Sequence, residues 1–170
     1  AAQAVAPQRI AKVLARAGLC SRRDAERWIA AGRVAVNGAV LTSPAVTVGD
    51  SDDIRVDGAP LPEPQRARLW RYHKPAGLVT THRDEKGRAT VFAALPKELP
   101  RLISIGRLDL TSEGLLLLTN DGALARRLEL PATGWLRRYK VRVHGIVDPL
   151  RLATLEKGVT IDCVSYGPEH

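Results

Sequence analysis

Apolar positions in "QRIAKVLARAG" recur at Ile10, Val13, Leu14 and Ala17, the i, i+3, i+4, i+7 spacing of one helical face, while Arg9, Lys12 and Arg16 take the other faces. Gly18 supplies the stop. Ser21 followed three residues later by Asp24 has the form of a capping box, and it opens a second short helix with Ala25, Trp28 and Ile29 inward and an end near Gly32. The period then shortens to that of strands. "RVAVNGAVLT" sets two β-rich runs around Asn37-Gly38, the strongest short-range hairpin signal, and "DDIRVDG" predicts one more strand.

Pro60, Pro62 and Pro64 alternate in "APLPEPQRARLW", which disfavours helix and central strand alike and predicts a stiff extended linker over 60–68. Strands and helices mix beyond it. "LWRYH", "GLVTT", "LISI", "GLLLLT", "RRYKVRVHG" and "GVTIDC" predict strands, and helices are predicted in "GALARRLEL" and from Asp148-Pro149 onward. Short strands lying near one another along the chain imply an α+β fold with a mixed or antiparallel sheet. The predicted organisation is a disordered tail over 1–7, a small domain over 8–59, the linker, and a larger domain over 69–170.

In "IGRLDLTSEGLLLLTNDG" the element pattern meets chemistry. Asp109 falls in a polar loop between two apparent core strands, two residues after Arg107. Such an acid either turns the chain through its own hydrogen bonds or is a reactive group that the core holds in place.

Composition narrows the setting. The 170 residues are 45% hydrophobic, enough for a core, and 26 Lys and Arg against 18 Asp and Glu point to a polyanionic partner. The charge is patterned: residues 8–38 and 66–88 each hold seven basic residues against two acidic ones, whereas Asp50, Asp52, Asp53 and Asp57 cluster. Cys20 and Cys163 show neither metal-ligand spacing nor a disulfide framework and read as buried or incidental thiols. His73, His82 and His144 are likewise scattered, so no metal is expected. No apolar run approaches membrane-spanning length and "AAQAVAPQ" lacks the pattern of a secretion signal, which predicts a cytoplasmic protein with no membrane partner.

Arg22 and Arg23 open a helix, where free backbone N–H groups already favour anions, and Arg33, Asn37 and Gly38 follow its end. The stretch "RIAKVLARAGLCSRRDAERWIAAGRVAVNG" closely resembles the S4-like RNA-binding domain over about residues 8 to 58. That resemblance implies that Arg9, Lys12, Arg22, Arg23, Arg33 and Asn37 dock structured RNA.

"HKPAGLVTT", "GRLDLTSEGLLLLTNDG" and "RRYKVRV", in this order after an S4-like unit, resemble the ribosomal pseudouridine synthase family. The resemblance implies isomerisation of uridine to pseudouridine in rRNA, with Asp109 as the nucleophile. That chemistry breaks the N1–C1′ glycosidic bond and rejoins the base through C5 without redox change, so a carboxylate suffices and no cofactor is implied. Asp109 could attack C1′ of the sugar or C6 of the base. Tyr139 would stack on the extruded uracil and assist with the C5 proton, against the alternative of a core aromatic sharing a strand face with Val141 and Val143. Arg107 would face RNA, and Lys74 of "HKPAG" would reach phosphate unless it is only a surface lysine. Glu113 falls at a variable position of the motif and is not assigned to catalysis. Thr119, Asn120 and Asp121 would form the turn and helix entry after the leucine strand, with Asp121 as cap.

"RAGLCSRRDAE" and "HKPAGLVTTHRDEKGRATVF" are more similar to the large-subunit enzymes than to the small-subunit one. The implied partner is ribosomal RNA or an assembling subunit, engaged by a monomer. Family members continue to a basic "N-R-Q-V-R-R"-type segment that places a Lys or Arg near the catalytic Asp. Since this stretch does not occur here, the resemblance implies a chain truncated at the C-terminus, with little or no turnover by itself. The rival from another class is a non-catalytic RNA-binding or ribosome-associated factor. A polysaccharide glycosidase is disfavoured by three Trp, three Tyr and one Phe, too few for sugar-stacking platforms.

Overall fold

A computed structural model describes residues 6–167, so most of the tail expected over 1–7 lies outside the described residues. The chain divides into two units after Gly134.

The first unit begins with a short strand, β1 (Gln8–Arg9), that runs directly into α1 (Ile10–Arg16). Ile10 and Leu14 are fully buried, as the helical spacing predicts. In α2 (Arg22–Ala30) the Ser21 hydroxyl accepts the Asp24 N–H at 3.0 Å and donates to the Asp24 carboxylate at 2.7 Å, which lowers the pKa of that acid. Ala25 and Ile29 face inward.

Strands β2 (Val34–Val36) and β3 (Ala39–Val40) form the hairpin at Asn37-Gly38, both in the left-handed region with φ of 50° and 82°. A short strand β4 (Thr47–Val48) pairs with β1. β5 (Ile54–Val56) and β6 (Ala59–Pro60) complete an antiparallel sheet ordered β3-β2-β5-β6. Pro60 sits on the edge strand, where a missing N–H is tolerated. Helices and sheet share one core around Ile10, Leu14, Ile29, Val34 and Ile54.

Beyond the extended segment 61–68, β7 (Leu69–Lys74), β8 (Ile103–Ile105) and β9 (Gly114–Thr119) make an antiparallel sheet with β9 in the centre. The leucine run of β9 is buried at Leu116 and Leu118, which join Val91 and Leu102 in a second core, while Leu115 is exposed. A one-turn helix, α3 (Val91–Ala94), is capped by the Thr90 hydroxyl, and α4 (Gly122–Glu129) follows β9 with Asp121 as its cap. The predicted strand in "GLVTT" is reduced to one bridge, Val79 to Thr90, because the hydroxyls of Thr80 and Thr81 bond to loop backbone instead of leaving it to a ladder.

The second unit contains α5 (Pro149–Leu155), capped by Asp148, and a hairpin of β10 (Val159–Ile161) and β11 (Val164–Tyr166). The strand predicted in "RRYKVRVHG" is not formed. Its backbone has no ladder partner among the described residues, and Tyr139, Val141 and Val143 are all exposed. Alternating apolar residues stabilise a strand through cross-strand packing, and without a neighbouring strand that stabilisation is absent. Tyr139 is therefore not the core aromatic of a sheet in this unit. Cys163, expected as a buried or incidental thiol, is exposed in the hairpin turn, whereas Cys20 is buried and its thiol is pushed up to about 11 by that burial.

Candidate active site

Asp109 lies in the loop over 106–113 that joins β8 to β9 at one end of the sheet. Its side chain is exposed, and its carboxylate accepts no hydrogen bond and forms no ion pair among the described residues. The backbone around it is the opposite. Leu108 exchanges two bonds with the Thr80 hydroxyl: the hydroxyl donates to its carbonyl at 2.8 Å and accepts its N–H at 3.3 Å. On the other side, the Leu110 carbonyl accepts the Gly77 N–H at 2.7 Å. The Asp109 carbonyl itself takes the Ser112 N–H at 3.1 Å and the Lys74 ammonium at 2.9 Å. Gly106 and Gly114 bracket the loop with φ of 73° and 128°, conformations that disfavour a side chain.

Lys74 corrects the sequence-based expectation. It is neither a phosphate contact nor a surface lysine: it is fully buried, and its three N–H groups go to the carbonyls of Pro75, Asp109 and Ser112 at 3.1, 2.9 and 2.8 Å. Burial lowers its pKa, and the nearby Asp109 charge opposes that shift. The pattern of β7 carries the signal for this placement. Trp70 and Tyr72 lie on the half-buried side of an alternating strand, so period two puts Lys74 on that same inward face.

The resulting arrangement presents an exposed carboxylate on an immobilised backbone, suited to nucleophilic attack on a substrate from solvent. Arg107 is exposed and forms no ion pair with Asp109. After β9, the buried Thr119 hydroxyl donates to the Arg68 carbonyl at 2.7 Å, and Asn120 accepts the Arg68 N–H and donates to the Arg66 carbonyl. Asp121 accepts the Ala123 and Leu124 N–H groups at 2.7 and 3.1 Å. These residues tie the entering segment to the sheet end. Gly77 and Thr80 fall within the quoted "HKPAGLVTT" stretch, but their part as anchors could not be read from it, because each bonds through geometry set by a loop about 30 residues away.

In the first domain Arg9, Arg22 and Arg23 are exposed and Lys12 is half-buried. Arg33 is held at both carboxylate oxygens of Asp57 and lies 4.6 Å from the Trp28 ring centre, so its charge is largely answered inside the domain. Asn37 is exposed and also fastens the hairpin: its amide donates to Asp52 at 2.8 Å and accepts the Asp53 N–H at 2.9 Å.

A small helix–hairpin module with exposed arginines is thus followed by a sheet whose end loop displays the Asp109 carboxylate on a bonded backbone. Residues 8–54 match the S4 domain and residues 68–166 match the RNA pseudouridylate synthase family. The chain belongs to that family. An uncharacterized RNA pseudouridine synthase of Rickettsia bellii is 52% identical over 162 residues, spanning 95% of this chain and 70% of the relative. Ribosomal large subunit pseudouridine synthase B of Haemophilus influenzae is 44% identical over 161 residues, spanning 91% of this chain and 45% of that longer protein. A crystal structure of a pseudouridylate synthase shares the fold with a TM-score of 0.54 at 24% identity, over 94% of this chain and 70% of the other.

Proposed function

We propose that the protein isomerises uridine to pseudouridine in ribosomal RNA, with large-subunit RNA as the substrate and Asp109 as the nucleophile. The observation that carries this reading is the contrast at the loop: a carboxylate left without partners on a backbone bonded at residues 108, 109, 110 and 112. Asp109 attacks C1′ of the sugar or C6 of the base, the N1–C1′ bond breaks, the base turns, and C5 takes the place of N1. The carboxylate departs, the C5 hydrogen leaves as a proton and the freed N1 takes one up, so atoms and electrons balance without an oxidant or cofactor.

Arg107, beside the nucleophile in sequence, faces RNA and helps hold the target uridine out of its stack. Tyr139 stacks on the uracil and assists the loss of the C5 proton; its exposure leaves the ring available for that contact. Arg9, Lys12, Arg22 and Arg23 bind phosphates, with Arg33 contributing through its exposed edge. The relatives bearing the name ribosomal large subunit pseudouridine synthase B support the choice of RNA. No described helix is long and apolar enough to cross a membrane. A monomer working in the cytoplasm fits this reading.

The test is tritium release from rRNA labelled at uridine C5, comparing the full-length protein with its Asp109→Asn variant. The parent should release tritium and the variant none, while both retain RNA. A parent that binds rRNA yet releases nothing from either naked RNA or immature subunits would instead be a non-catalytic binding factor.

A further inference from the structure

Within the first unit, α1 and the start of α2 face the segment before β8 and the turn after β9 across an open cleft of about 450 Å³. Lys12, Arg16 and Arg22 line it from the S4 side, and Arg101, His82 and Asp121 from the other. Asp121 is the acid in this lining, and it is already committed: one oxygen caps α4 and the other takes the Arg16 guanidinium at 3.3 Å. No ion pair reaches Lys12, Arg22 or Arg101 among the described residues. The His82 ring stacks on Phe92 with centres 3.6 Å apart, and partial burial followed by the Arg101 charge lowers its pKa, so at neutral pH it is an uncharged aromatic rim. Three uncompensated cations therefore share one concavity, where low-dielectric walls concentrate their field.

We infer that this cleft seats the sugar–phosphate backbone of the RNA, with Arg101 as the phosphate contact contributed by the catalytic half and Lys12 by the S4 half. The inference rests on the RNA-modifying reading above and adds a place where both halves grip the same strand. The volume lies within the roughly 300–1,000 Å³ of small-ligand sites, and the absence of an enclosing wall suits a chain that passes through rather than a captured metabolite. The pair between Arg16 and Asp121, together with the Arg16 bond to the Gln65 carbonyl, fixes the cleft walls without spending the other cations.

Arg101 is partly exposed and its side chain makes no hydrogen bond or ion pair among the described residues, so replacing it removes no bond of the fold. Filter retention of an rRNA fragment by the full-length protein, measured over a range of KCl, reads the site without requiring turnover. Arg101→Gln should weaken binding about 3- to 10-fold at physiological salt and reduce the slope of log K against log[KCl] by about 0.7–0.9, the contribution of one phosphate. Arg101→Lys should restore most of the slope, since a point charge is enough for a phosphate. Lys97→Gln, an exposed lysine outside the cleft, controls for net charge. If Arg101→Gln matches Lys97→Gln in affinity and slope, or if Arg101→Lys is as impaired as Arg101→Gln, the cleft is not a backbone site. Tritium release is scored separately, so a parent that binds but does not isomerise overturns the enzymatic reading while leaving this one standing.

Discussion

The residue that most changes the account of the site is Lys74. A lysine beside a proline in a basic stretch suggests a phosphate contact, yet its ammonium is spent on three backbone carbonyls, two of them in the loop that carries Asp109. Lys74→Met keeps the length of the stem and removes the three donors, leaving buried acceptors unpaired at a cost of about 1–3 kcal/mol. The loop should then sample more conformations. Thermal unfolding should show the lower stability, and tritium release at saturating RNA should fall by more than tenfold at a temperature where the variant remains folded. Full turnover by a folded Lys74→Met protein would mean that the Thr80 and Gly77 anchors alone position the nucleophile. The loop position of Asp109 was legible in the sequence because it falls between two apolar runs that form β8 and β9, whereas its role as nucleophile was implied only by the family resemblance. Its anchors were not legible: an inward lysine looks like any other basic residue until the alternation of β7 is followed to its last position.

At the scale of elements, the readable parts were those with local causes. The two helices of the S4 domain, the Asn37-Gly38 hairpin and the Asp121 cap each follow from bonds within a few residues of one another. The strand expected around Tyr139 failed because its stabilisation would come from a neighbour that the local pattern cannot supply. "GLVTT" failed because two threonines turned their hydroxyls on the backbone. The loop over 81–89 is organised in the same way by one acid. Asp84 accepts the Arg88 backbone N–H at 2.7 Å and two N–H groups of the Arg88 guanidinium, Nη2 at 2.8 Å and Nε at 3.1 Å, and these bonds hold its pKa down at about 2. A carboxylate with a depressed folded pKa stabilises fully above its unfolded value and loses that contribution as pH falls from about 4 towards 2. Asp84→Asn should therefore lower Tm at pH 6, and the gap from the parent should close on acidification to pH 2. A gap of constant size across that window would show that what Asp84 contributes to stability does not depend on its ionisation.

For the whole molecule, the formal charge of +8 matters less than where its cations are free to act. Arg33, Arg55 and Arg88 each face an aspartate, so part of the basic composition is absorbed internally. Arg22 and Arg23 are different. They lie at the exposed start of α2, where Ser21 and Asp24 bond to each other and leave both guanidinium groups outward. Counterion release counts only cations that reach phosphate, so equal losses of formal charge should have unequal effects on binding. Replacing Arg22 and Arg23 together with Ala should reduce the salt slope of rRNA binding by about 1.4–1.8, or two phosphates' worth. Replacing Arg55 and Arg88 together with Ala removes the same formal charge and should leave the slope nearly unchanged, although Arg88→Ala also loosens the 81–89 loop. Both pairs can be titrated on one rRNA fragment over one series of KCl concentrations. Similar reductions for the two pairs would mean that RNA senses the total charge of the protein, and the S4 helix would then lose its place as the docking face.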